Sequence, residues 1–76
     1  MKYDEVKIGM RVRCVKQFSL ARVGEIGTVM DNANGVCIGV KWDRNVDGHD
    51  MDGLCDDGHG EWTTVDRLEK VTEEPL

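Results

Sequence analysis

The chain has 76 residues, 39% of them apolar and 33% charged, with a formal net charge of −5. A chain of this length makes one domain with a limited core, too small for a deep substrate pocket. The acid excess argues against generic nucleic-acid binding, no apolar run approaches the ~20 residues of a membrane span, and the N-terminus lacks an apolar signal core, so a cytoplasmic monomer is expected.

The first element is read at Met10–Lys16, MRVRCVK, where apolar and basic residues alternate. Met10, Val12 and Cys14 share one face and Arg11 and Arg13 the other, the period of a half-buried strand. Gln17–Glu25 has Phe18, Leu20 and Val23 for packing but no period, and reads as a partly packed loop. Ile26–Asp31, IGTVMD, is the second strand, with Gly24 and Gly27 marking a bend or close backbone approach. The Asn34-Gly35 pair within Asn32–Gly35 signals a hairpin turn. Val36–Asp43 is the third strand, with Val36, Ile38, Val40 and Trp42 on one face, so Trp42 is read as core.

The stretch Asp43–Glu61 follows, with seven acids against one base, Arg44. Glu61–Val65 reads as a fourth strand, Asp66–Leu68 as a 3₁₀ turn, Glu69–Thr72 as a fifth short strand and Glu73–Leu76 as a frayed tail. Short strands punctuated every ~8–12 residues by turn signals predict an all-β barrel or sandwich. Cys14, Cys37 and Cys55 are odd in number and imply no closed disulfide framework; reduced thiols fit a reducing compartment.

The residues VGEIGTV resemble the turn and strand of KOW-type and mind-bomb-type SH3-like repeats. IGVKWD, followed by GHD, GLC, GHGEW and LEKV, is similar to small phage and prophage SH3-like barrel proteins of the YorP kind, over roughly Val6 to Val71. The resemblance implies a five-stranded SH3-like barrel with a long loop between strands 3 and 4 and a 3₁₀ turn before the last strand. It implies a binding module and supplies no catalytic residues.

The acidic stretch admits several chemistries. Asp43, Asn45, Asp47 and Gly48 match the first half of an EF-hand loop, but Leu54 stands where the bidentate acid belongs. His49, Cys55 and His59 suit Zn²⁺ by type, yet their spacing is not a standard ligand set and a fourth ligand is missing. The plainer alternative is that the histidines order the loop while Leu54 and Cys55 tuck into the barrel end. A Cys55–His59 nucleophile is disfavoured because Asp50, Asp52, Asp56 and Asp57 raise a thiol pKa. No enzyme activity and no cofactor are therefore expected.

A ~17-residue connection in a compact domain is either functional or disordered, and its glycines, His and Cys favour an ordered Ω-type loop. The expected contact surface for a protein partner is Trp62 with Asp50, Asp52, Asp56 and Asp57 and the Phe18/Leu20 loop: a ring with an acidic rim, suited to a basic segment. Trp62 is equally compatible with the core. The competing reading is a nucleic-acid contact through Arg11, Arg13, Lys16 and Lys41; the plainer alternative is that those cations solvate a face or pair with the acidic loop.

Overall fold

The computed structural model describes residues 2–17, 20–32 and 37–71. Among these, five strands form one antiparallel sheet: β1 (Arg11–Cys14), β2 (Ile26–Asp31), β3 (Ile38–Trp42), β4 (Gly60–Thr63) and β5 (Leu68–Lys70). Their order across the sheet is β4-β3-β2-β1-β5. Consecutive strands up to β4 are neighbours because each connection simply reverses the chain. A 3₁₀ turn at Val65–Arg67 then redirects the chain, and β5 pairs with β1 through Val12–Lys70, Arg13–Glu69 and Cys14–Leu68.

The predicted barrel is not closed by hydrogen bonds among the described residues. The ladder begins at β4 and ends at β5, and no register joins the two. Strand β5 is only three residues long and spends its pairing on β1. A second 3₁₀ turn at Tyr3–Glu5, not foreseen from the sequence, precedes β1. It is docked by the Tyr3 hydroxyl, which donates to the Asn32 carbonyl, and by the Asn32 amide, which donates to Val6 O at 2.8 Å.

Period 2 places the core. Val12 and Cys14 of β1, Val29 of β2, Ile38, Val40 and Trp42 of β3 and Leu68 of β5 are buried on one side of the sheet. Val6, Ala21 and Val46 join them from the connections. The ladder between β2 and β3 slips one residue between Val29 and Asp31, a bulge that adds bend and twist. The Asn34-Gly35 turn, Val36 and the predicted tail lie outside the described residues. No helix among the described residues is long and apolar enough to cross a membrane.

Candidate functional site

The connection from Asp43 to His59 is ordered by its own backbone. Val46 N–H and Gly48 N–H both donate to Gly58 O at 2.9 Å, and His49 exchanges two bonds with Gly60, at 3.0 and 2.7 Å. Gly53 N–H and Cys55 N–H close onto Asp50 O, and Asp52 N–H bonds the Asp50 carboxylate at 3.1 Å, an Asx turn. The base of the loop is clamped twice. Arg11 of β1 bonds Asp43 with both guanidinium arms and also donates to the Thr28 hydroxyl; Arg44 meets Glu25 at 2.7 Å. The Arg11 guanidinium beside Asp43 holds its carboxyl below the usual carboxylate range.

The side chain that anchors the loop is Met51, 2% exposed yet outside the main core cluster. It lies on the outer face of the sheet, over two glycines. A Cβ on Gly60 would stand 2.5 Å from Met51 Cγ and 2.6 Å from His49 O, and a Cβ on Gly39 would collide with Met51 Cε. Glycine in a strand interior marks such a close approach. Met51, Asp52 and Gly53 occupy left-handed φ of 52°, 56° and 92°, an unfavourable turn that burial of the Met51 side chain offsets. Leu54, expected to tuck in, is 47% exposed. The left-handed turn spends its one inward position on Met51.

Trp62 stands beside this plug. On β4 it pairs with Gly39, and its ring reaches within 3.0 Å of the same Gly39 Cβ position that Met51 approaches. It is 40% exposed, so it belongs to the surface and not the core, whereas Trp42 is buried as predicted. Asp50, Asp52, Asp56 and Asp57 are all exposed on the loop that Met51 pins beside Trp62. Among the described residues none of these four carboxylates forms an ion pair; the salt bridges go to Asp43, Glu69, Asp66 and Glu25.

The other predicted contact residues separate from this group. Leu20 N–H donates to Glu61 at 3.4 Å, and Ala21 N–H and Trp42 Nε1–H donate to the same carboxylate at 3.3 and 3.0 Å. Glu61 is 5% exposed and precedes Trp62 on β4, so the two side chains point to opposite faces. Leu20 is thus hung from the inner face and Trp62 rides on the outer one. Phe18 lies outside the described residues. Glu61 also lines a pocket of about 10 Å³, room for one water, with Cys14, Lys16, Ala21, Trp42, Thr63 and Arg67.

Of the basic set, Arg11 is engaged with Asp43, Arg13 meets Glu69 at 2.6 Å and Lys16 meets Asp66 at 3.6 Å. Lys41 is exposed on the outer face opposite Gly60. The candidate zinc ligands are employed in the loop. His49 Nδ1 accepts from Met51 N–H at 3.1 Å, and His59 Nδ1 lies 2.8 Å from Trp42 O, which requires that this nitrogen carry the proton. The Cys55 thiol is directed at His49 O. Burial, and then the charge of Asp50, pushes that thiol up, as the acidic surroundings predict. No group of three His, Cys, Asp or Glu among the described residues is placed to hold a metal ion.

Comparison with protein-family models, curated proteins and solved structures found no match.

Proposed function

We propose that this chain is a non-enzymatic binding module of SH3-like architecture, related to the small phage and prophage barrel proteins, acting as a monomer in the host cytoplasm on a protein with a basic segment. The observation that carries the reading is the half-exposed Trp62 ring beside a loop anchored by the buried Met51, on which Asp50, Asp52, Asp56 and Asp57 are exposed and form no ion pair with a described residue. From Asn45 to Asp66 the chain has no Lys or Arg to neutralise them. A fixed ring with an acidic rim selects a basic segment by shape and charge, and salt weakens the contact. The strand order, with a 3₁₀ turn before the last strand, supports the SH3-like assignment.

The test is capture of host proteins on the wild-type chain, on Trp62→Ala and on a variant with the four aspartates changed to Asn. A partner retained by wild type and lost from both folded variants is the expected result. A partner retained equally by all three refutes the reading. The nucleic-acid alternative is disfavoured because Arg11, Arg13 and Lys16 each face a carboxylate; oligonucleotide binding at low salt that Arg11→Ala and Arg13→Ala abolish would reinstate it.

A further inference from the structure

Strand β4 is an edge of the sheet, and its hydrogen-bonding alternation fixes which of its backbone groups face outward. Trp42 N–H donates to His59 O, so the β3–β4 ladder bonds at positions 59, 61 and 63 and leaves the groups of 60 and 62 directed away from β3. Gly60 confirms the phase, because its outward N–H and C=O are both taken by His49. The next outward pair is the N–H and C=O of Trp62, to which no described residue bonds. Beyond it Thr64 O is taken by Arg67 N–H in the 3₁₀ turn. His49 therefore begins a sixth line of pairing on the edge of β4 and stops one step short of Trp62.

We propose that this step is filled by an extended basic segment of a partner protein, which pairs with the Trp62 backbone and extends the line that His49 begins. This deepens the proposed function and rests on it. Strand addition uses the edge, the ring and the loop together: backbone bonds give register, the Trp62 ring covers one face of the added segment, and the carboxylates of the loop that Met51 pins receive its Lys or Arg side chains. Charge also selects against the obvious competitor. Two copies joined through their β4 edges would bring two loops with exposed Asp50, Asp52, Asp56 and Asp57 together, a repulsive arrangement that protects a bare edge from self-pairing.

The probe is a capped peptide of alternating Lys and Val, compared with the same peptide N-methylated on alternate residues along either edge. N-methylation removes backbone donors and leaves charge and side chains. Binding is followed by amide NMR at about 50 mM salt, where surface charge is weakly screened. The expected result is saturable binding of the unmethylated peptide, slowed exchange of the Trp62 amide proton, and affinity about ten-fold lower for at least one methylated peptide. Equal binding of all the peptides, with the Trp62 amide exchanging as fast as before, overturns strand addition while leaving ring-and-charge binding intact. No binding of any peptide overturns both. A Trp62 amide already protected in the free protein, becoming exposed on dilution, overturns the proposal in favour of pairing between copies.

Discussion

Glu61 offers the sharpest test of how this small sheet holds its connections in place. Among the described residues, three N–H donors converge on its carboxylate: Trp42 Nε1 and Ala21 N on Oε1, and Leu20 N on Oε2. They come from the core of β3 and from the β1–β2 connection, so one side chain ties both to β4. In Glu61→Gln the oxygen keeps two donors, but the new amide nitrogen confronts Leu20 N–H, donor against donor. One long bond is lost and two change from charge-assisted to neutral, a cost of about 1–3 kcal/mol. In Glu61→Ala the buried Trp42 and Ala21 donors lose their acceptor, and the cost rises to about 3–5 kcal/mol. A domain of this length has roughly 4–11 kcal/mol in total, so the alanine variant approaches the limit of folding. Urea unfolding followed by tryptophan fluorescence measures both. Amide exchange should show Leu20 losing protection first in the glutamine variant. A glutamine variant within about 0.5 kcal/mol of wild type, with Leu20 as protected as before, refutes the argument.

Met51→Ala should cost about 2–4 kcal/mol in the same unfolding assay, since it empties the space above Gly39 and Gly60, and should raise amide exchange at His49 and Cys55. Gly60→Ala should be the more damaging of the two glycine replacements, because its methyl meets His49 O, a backbone atom, as well as Met51 Cγ; melting temperatures of Gly60→Ala and Gly39→Ala check the order. Asp43 has a lowered pKa in the folded chain, so its contribution is present above the unfolded value of about 3.9 and is lost as pH falls through the folded value. Asp43→Asn should therefore flatten the acid limb of the stability curve, by no more than about 1 kcal/mol for so exposed a pair. Cys55 should react with iodoacetamide more slowly than an unstructured thiol at neutral pH, and Asp50→Asn should speed it modestly; a rate above that of the unfolded chain would contradict the raised pKa.

The first and third strands were legible from the sequence because their apolar positions repeat with period 2, and the other three from the turn signals that bound them. Ile26–Asp31 matches β2 residue for residue, β1, β4 and β5 fall within two residues of their predicted bounds, and β3 ends one residue before its predicted end. The 3₁₀ turn appears one residue earlier than expected, at Val65–Arg67. What periodicity could not show was the packing on the outer face. Met51 sits among aspartates, with nothing beside it to mark it as buried. Gly39 and Gly60 were the available signal, since a glycine inside a strand implies that something comes close. Glu61 was hidden for a different reason. A carboxylate in a strand reads as solvent-facing, and only the three-dimensional gathering of Trp42, Leu20 and Ala21 makes an inward position tolerable. The same inward turn of Glu61 settles Trp62 as an outer residue, which its sequence neighbours left open.

The division of labour within the acidic loop is what turns it from a charge run into a candidate site. If its order depended on its carboxylates, those groups would be occupied and a partner would have to displace them. Most of the order instead comes from backbone bonds between 46–49 and 58–60, from the Met51 plug and from two ion pairs at the loop's base. Asp50 is the partial exception, since its carboxylate caps Asp52 N–H, but a carboxylate oxygen accepts more than one bond. Among the described residues, the Asp52, Asp56 and Asp57 carboxylates form no hydrogen bond or ion pair. Neutralising these three should therefore leave stability nearly unchanged while removing the charge presented beside Trp62. Loss of stability comparable to that of Met51→Ala would mean that the carboxylates build the loop, and the case for their serving a partner would fall with it.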